Sequence, residues 1–363
     1  PFPEYRKPFE LLHRANWDVT LLVPQHWRQA LTREQSYIPD SRESFRTFVE
    51  PVRFSRHAVL HDYPNLTPIL QQTSPDILLA IEEPYSLITA RLLFWCRKRK
   101  IPFLFHSYQD LYKRYPPPFC WTQSYVLRHS NLALVANRTV EQVLRRKGFT
   151  HPVILYPYGI DPVQFQPVDR QSSTTIRIGY VGRFVPEKGI DLLISALARL
   201  PGNTRLVLVG DGSARDSLER LSNTLGIADR IEWIESVPPS QLPNIYRSLD
   251  ILVLPSRTMP NWQEQFGRVL VEAMACGVPV VGSDCGAIPE VIGDAGLIFP
   301  ENSREALASC LNHLIDSESL RHQYATRGRE RVLQFYTHDQ CAQVLDSALR
   351  NSSPEDRGRL GRG

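Results

Sequence analysis

Short segments that are apolar on both faces recur along this chain, each followed by a stretch of helical period, and that alternation leaves few folds open. A strand with one polar side can face water, whereas one such as Ile-Leu-Val-Leu at 251–254 must be covered twice. Parallel sheets with helices on both faces satisfy the requirement, so the expected class is α/β. In the first half the expected strands are 18–23, 76–81, 101–105, 132–136 and 153–156. Helices are expected between them at 5–14, 65–72, 86–99, 121–129 and 139–147, and 45–57 reads as irregular. The second half repeats the rhythm with strands at 176–181, 205–209, 231–234, 251–254, 278–282 and 296–299.

A chain of 363 residues is too long for one core and suits two domains. The expected division is a first domain at 1–160, a polar linker at 161–175 containing Pro162 and Pro167, and a second domain at 176–335. A helix at 336–350 and a disordered tail at 351–363, rich in Ser, Gly and Arg, complete the chain. Net charge is only +4, which is no nucleic-acid footprint. The basic clusters at 97–100 and 145–147 read first as solvated helix ends and second as a contact for an anionic membrane surface. The six cysteines are scattered without a Cys-x-x-Cys, which fits free thiols in a reducing cytoplasm. No apolar run reaches transmembrane length, and no signal peptide is visible.

Chemistry concentrates in the second half. Glu264 and Glu272 flank Phe266-Gly267 and the start of a helix that opens with Arg268 and Val269 and stops at Gly277. Amides at such a start can hold a phosphate, and carboxylates beside it can accept hydrogen bonds from sugar hydroxyls. Earlier, Gly179-Tyr-Val-Gly182-Arg183-Phe-Val-Pro-Glu-Lys188-Gly189 joins a strand to a helix. Its glycines let backbone approach a ligand, Arg183 offers a bidentate fork and Lys188 a compact charge. Gly210-Asp-Gly212 also comes after a strand, where a nucleotide-binding turn and an ordinary Asp-Gly turn look alike.

The segment from Glu264 to Pro279 resembles the Glu-x7-Glu signature of retaining GT-B glycosyltransferases, with Phe266, Gly267, Ala273, Met274, Gly277 and Pro279 matching its surroundings. Arg183 and Lys188 match that family's Gly-Arg-x4-Lys-Gly diphosphate clamp. The resemblance implies two Rossmann-like domains facing across a cleft, with a C-terminal helix crossing back to the first. It implies a nucleotide-diphosphate sugar as donor, and a glycan or lipid-linked acceptor in cell-surface polysaccharide synthesis. Glu264 would hold the donor sugar, Glu272 the ribose, and Val237, Gly182 and Gly210 the nucleotide. No metal or other cofactor is expected, since the clamp supplies positive charge where the leaving diphosphate develops its own. His106 is the candidate for the sugar's far side, with Gln109 and Asp110 as rivals.

The resemblance is specific from about residue 101 onward and only architectural before it. The chain opens at a segment that comes after the family's first strand, so that strand is expected to be missing or the sheet shortened. Tyr5, Arg6, Lys7 and Gln109 are acceptor-side candidates, the first three with a solvated helix as the rival reading. A catalytically inactive nucleotide-sugar-binding protein and a nucleotide-sugar epimerase of the same fold are the alternatives to the transferase.

Overall fold

A computed structural model describes residues 3–27, 35–41, 43–57, 59–168 and 174–352. The chain forms two compact units, one running to Gly159 and resuming at His338, the other holding Ile160–Thr337.

In the second unit six parallel strands lie in the order Ile231–Ile234, Thr204–Val209, Ile176–Val181, Ile251–Leu254, Val280–Ser283, Gly296–Phe299. By chain order this is 3-2-1-4-5-6, the doubly wound arrangement of dinucleotide-binding sheets. The central strands are buried on both faces, as their unbroken apolar runs require. The order reverses between Ile176–Val181 and Ile251–Leu254, and connections leaving those two strands open a crevice at their carboxyl ends.

The stretch 161–168, expected as linker, lies in the second unit and is held there by arginines. Phe165 is buried, and Arg329 donates to the carbonyls of Phe165 and Pro162 at 2.6 and 2.9 Å. Arg247 reaches the carbonyls of Gln164 and Gln166 at 2.9 and 2.8 Å. The carbonyls of this irregular backbone thus find the donor partners that a strand or helix would have supplied. The rest of the expected linker, 169–173, lies outside the described residues.

The first unit has a four-stranded parallel sheet in chain order, Leu78–Ala80, Phe103–Ser107, Leu132–Val135, Val153–Leu155. A separate parallel pair joins Thr20–Pro24 to Arg46–Glu50. That second strand falls in the stretch expected to be irregular. Its sequence, Arg-Thr-Phe-Val-Glu, lacks a doubly apolar run, and only the ladder to Thr20–Pro24 reveals it.

The helix His338–Ser352 belongs to this unit. Cys341, Leu345, Ala348 and Leu349 pack with Phe9 and Leu12 of the helix Lys7–Arg14 and with Leu104, Leu134 and Tyr156. Each buried leucine contributes roughly 1.5–3 kcal/mol. Trp17 Nε1 adds a hydrogen bond to Asp346 Oδ1 at 2.7 Å. The helix extends through Ser352, which is buried, so 351 and 352 are helical where a tail was expected. Residues 353–363 lie outside the described ones.

Candidate active site

Glu264 sits past the end of strand Ile251–Leu254, and its carboxylate is nearly covered. Lys188 Nζ donates to its Oε2 at 2.5 Å, and Ser256 Oγ donates to the same oxygen at 2.9 Å. Lys188 arrives from a different loop, the one leaving Ile176–Val181, and its ammonium also stands 4.8 Å from the centroid of Trp262. An acid and a cation 76 positions apart in sequence therefore meet at the point where strand order reverses. Ser256, the second residue past that strand, is thus a partner of Glu264. The Glu264 carbonyl in turn accepts from the Ala287 amide at 2.8 Å. At Gly286, φ is +57° and a Cβ would lie 2.2 Å from that carbonyl, so only glycine fits. Gly286 went unnoticed in the sequence; its signal was a glycine three residues after a buried strand.

Glu272 lies one helix further, inside Arg268–Ala275. Its Oε2 accepts from Tyr246 Oη at 2.7 Å, and its Oε1 forms an ion pair with Arg268 Nε at 2.8 Å. Burial, and then the Glu272 charge, push the Tyr246 hydroxyl far above its ordinary pKa, so it stays a donor. Gly267 precedes the helix at φ +78°. Arg268 and Val269 are half-buried, and their amides are first-turn donors without an intrahelical acceptor. Phe266 turns its ring inward against Tyr336, centroids 5.7 Å apart, so it builds the core and offers a ligand only backbone.

The glycine turns behave as one unit. The Gly182 amide donates to the Val209 carbonyl at 2.9 Å and the Phe184 amide to that of Asp211 at 2.8 Å. At Gly210, φ is +137° and a Cβ would come within 1.9 Å of the Gly182 carbonyl, so the loops carrying Gly182 and Gly210 close on each other because Gly210 has no side chain. Arg183 is exposed between them, and its guanidinium makes no hydrogen bond or ion pair among the described residues. Val237 is half-buried in the loop after Ile231–Ile234.

The first unit holds the remaining candidates. His106 is the fourth residue of strand Phe103–Ser107 rather than the residue after it, because the strand runs to Ser107, two positions beyond its expected end. It is buried between the rings of Tyr108 and Tyr156, at 4.2 and 5.3 Å. Tyr108 Oη lies 3.0 Å from Nδ1, while Nε2 is buried without a hydrogen-bond partner among the described residues. Burial holds the imidazole down to about 3, so it is neutral at pH 7.

Next to it, Glu83 accepts from Ser107 Oγ at 2.8 Å and from the Tyr108 amide at 2.7 Å. Burial pushes Glu83 up to about 7 against the pull of those two donors. Gln109 is buried, donating to Tyr115 Oη at 3.0 Å and accepting from Lys147 at 2.9 Å. Lys147 also reaches Gln123 Oε1 at 3.1 Å, and burial pushes its ammonium down to about 8. Glu83 did not stand out in the sequence, and Lys147 did so only within the basic cluster 145–147, which reads as a solvated helix end, whereas its ammonium is partly covered and held by two glutamine carbonyls.

Of the N-terminal candidates, Arg6 is buried, with Nε 2.5 Å from Glu43 Oε1 and Nη2 donating to the Ile38 carbonyl at 2.6 Å. It is neither solvated nor open to a ligand in this arrangement. Lys7 pairs with Glu10 at 2.9 Å, and Tyr5 is exposed beside Tyr158, with ring centroids 5.8 Å apart.

Residues 164–331 match the family model for glycosyl transferases group 1. A D-inositol 3-phosphate glycosyltransferase of Mycobacteroides abscessus is 36% identical over 177 residues, covering 45% of this chain and 38% of that protein. The Mycolicibacterium smegmatis protein of the same description is 32% identical over 180 residues, covering 46% and 40%. The match thus spans about two fifths of the length of these curated relatives. Solved structures extend the likeness over nearly the whole chain. Sucrose-phosphate synthase from Thermosynechococcus elongatus superposes with TM-score 0.74 at 20% identity, covering 95% of this chain and 92% of its own. A glycosyltransferase from Rickettsia africae gives 0.75 at 15% identity, covering 96% and 94%. Anabaena HepE in complex with UDP gives 0.70 at 17%, covering 92% and 99%. At these identities the likeness establishes the fold, two Rossmann-like domains of GT-B type.

Proposed function

From a group 1 glycosyltransferase domain of GT-B type over residues 164–331, we propose a retaining enzyme that moves a hexose from a nucleotide-diphosphate sugar to a glycan or lipid-linked acceptor in cell-surface polysaccharide synthesis. The observation that carries this reading is the Lys188–Glu264 pair, assembled from two loops at the switch point of the second sheet. Two relatives described as D-inositol 3-phosphate glycosyltransferases, and a neighbour solved with UDP, favour a nucleotide-linked donor and a hydroxyl acceptor.

In this mechanism the bond between the sugar's anomeric carbon and the diphosphate breaks, and its electron pair leaves with the diphosphate. Arg183 and Lys188 stabilise the charge that develops there, which favours the transition state over the ground state. The acceptor hydroxyl attacks from the face the diphosphate leaves, and its proton passes to a phosphate oxygen. Glu264 holds sugar hydroxyls; its hydrogen bonds to Lys188 and Ser256 fix the carboxylate before the donor arrives. Glu272 holds the ribose hydroxyls, oriented by Tyr246 and Arg268. Val237 borders the base, and the Gly182 and Gly210 turns admit the diphosphate. His106, neutral at working pH, serves as a hydrogen-bonding group at the sugar's far side rather than as a cation. The two cations take the place of a metal ion, and the enzyme works in the cytoplasm.

The test is a panel of UDP-, GDP- and ADP-sugars scored for thermal shift, hydrolysis and transfer, with the product anomer read by NMR. One nucleotide series should stabilise the protein and give a product of unchanged anomeric configuration. Inverted product, or transfer abolished by EDTA and restored by magnesium, would refute the retaining or the metal-independent part. Donor converted to another sugar nucleotide without acceptor would point to an epimerase.

A further inference from the structure

Between Glu83 and Glu141 the chain carries nine Lys and Arg and a single acid, Asp110. The local balance is +8 in a chain whose net charge is +4, so the remainder is −4. Two helices of the first unit, Leu87–Arg99 and Phe119–His129, come from this stretch, and neither contains an Asp or Glu. They touch where Arg97 lies 5.7 Å from the ring of Tyr125.

Large aromatic residues stand exposed beside those charges. Trp121 is 66% exposed and Phe94 is 53% exposed, the highest values among the described tryptophans and the second highest among the described phenylalanines. Phe94 precedes Arg97 and Lys98 by one helical turn, and Lys98 Nζ lies 4.5 Å from its ring centroid. Trp121 precedes Tyr125 by one turn and Arg128 by two, on the same face of its helix. Arg97, Lys98 and Arg128 have no carboxylate partner among the described residues. Arg97 and Arg128 come close enough to His129 to add, after its desolvation, to the lowering of that imidazole's pKa. Large apolar side chains are costly to expose on a protein that stays in water, and cations crowded without acids repel one another.

We propose that this face, Phe94, Arg97 and Lys98 on one helix with Trp121, Tyr125 and Arg128 on the other, docks on an anionic lipid bilayer. Aromatic rings with a polar edge settle at the headgroup level, and lysine and arginine beside them are drawn to the negative leaflet. Either component alone is weak, and stable peripheral binding needs both together. A nucleic-acid duplex would use the cations but leave Phe94 and Trp121 without a role, and a single strand stacked on those rings calls for a more basic chain than one of net charge +4. No helix among the described residues is long and apolar enough to cross a membrane, so the contact is one of surface.

The experiment is co-sedimentation of the full chain with sucrose-loaded vesicles, one set of phosphatidylcholine, the other of phosphatidylcholine with phosphatidylglycerol, without donor or acceptor. The wild type should partition to the anionic vesicles only, with salt-sensitive binding and a blue shift in fluorescence that Trp121→Phe removes. Arg97→Gln with Lys98→Gln should weaken the partition about 25-fold, taking about fivefold per cation near an anionic surface. Trp121→Ser with Phe94→Ser should weaken it at least as much, with unchanged melting, since both side chains are already in water. Binding to neither vesicle, binding untouched by either pair of substitutions, or tighter binding to a random-sequence oligonucleotide at the same salt would overturn the proposal. Vesicle binding is read apart from transfer, so its failure leaves the transferase reading where it stands.

Discussion

At the carboxyl ends of the second unit's strands the buried polar groups Glu264 and Glu272 are ion-paired, with Lys188 and Arg268. At the end of the first unit's strand Phe103–Ser107 polar groups are instead lodged among rings and amides: His106 between two tyrosines, Lys147 on two glutamine carbonyls. Burial acts differently on the two kinds of site. A carboxylate with a cation beside it keeps its charge when covered, while an unpaired group moves its pKa toward the neutral form. One site is therefore built to hold fixed charges against a charged ligand. The other moves its groups toward the neutral form without neutralising all of them: at pH 7 His106 at about 3 is neutral, Glu83 at about 7 is half ionised, and Lys147 at about 8 keeps most of its charge.

The contrast breaks most visibly at Lys188. Lys188→Ala removes a charge proposed to act on the leaving group, so kcat should fall roughly 10²–10³-fold. It also leaves Glu264 nearly covered, with Ser256 as its remaining side-chain donor among the described residues. That should cost roughly 1–3 kcal/mol of stability, since the pair keeps some solvent contact. Adding Glu264→Gln should recover most of the lost melting temperature and none of the activity. If transfer survived Lys188→Ala at near wild-type rate, the pair would be structural and the second site would resemble the first.

In the first unit the same contrast is tested by acid. His106 titrates at about 3 folded against 6.5 unfolded, so the unfolded state binds the extra proton and stability falls as pH drops through that window. Glu83 titrates at about 7 folded against 4.5 unfolded; there the folded state binds the proton, and stability falls as pH rises from 4.5 to 7. The two slopes oppose each other between 4.5 and 6.5, so their joint contribution should be nearly flat there. Below 4.5 His106 acts alone, with a loss of about 2 kcal/mol down to its folded value. Urea titrations from about pH 3 to 7 should show His106→Asn gaining stability, relative to wild type, as the pH falls below 6.5. Glu83→Gln should bring the onset of loss up to about 6.5. Parallel curves for all three proteins would mean that neither group is shifted.

The doubly wound second sheet was readable because each strand needs cover on both faces and carries an unbroken apolar run. Lys188 and Glu264 were readable because their loops carry glycines and a helix start in fixed order, and a loop motif survives as local sequence. Strand Arg46–Glu50 was hidden because its place is set by the ladder to Thr20–Pro24, which no local pattern encodes. Glu83, and the covered setting of Lys147, were hidden for a related reason: their surroundings converge from distant parts of the chain, and their shifted pKa values come from cover that only the folded chain supplies. Arg6 shows the opposite error, a basic residue near a helix start that looks solvated yet is buried against Glu43 and a carbonyl.

A smaller effect separates a ligand-binding carboxylate from one that only holds its helix. Glu272→Gln keeps an acceptor for Tyr246 but loses the ion pair with Arg268 and the charge-assisted bonds proposed for the ribose. Nucleotide-diphosphate affinity, measured by calorimetry, should weaken about tenfold, in line with roughly 1.5 kcal/mol for a hydrogen bond to a charged group. Unchanged affinity would assign Glu272 to packing alone.

The smallest change expected is at Tyr246, which never meets the donor in this mechanism. Tyr246→Phe removes a hydroxyl that donates at 2.7 Å from a fully buried ring and leaves Glu272 Oε2 short of that donor. Stability should drop by about 1–2 kcal/mol, the cost of an acceptor left wanting inside the fold. If the hydroxyl also aims the carboxylate, nucleotide affinity should fall two- to threefold (roughly 0.5 kcal/mol), and the loss should vanish when Glu272→Gln is already present. The two substitutions therefore form a cycle. Additive losses in affinity would mean that Tyr246 supports the helix independently, whereas coupled losses would mean that the charged site depends on a neutral group buried beneath it.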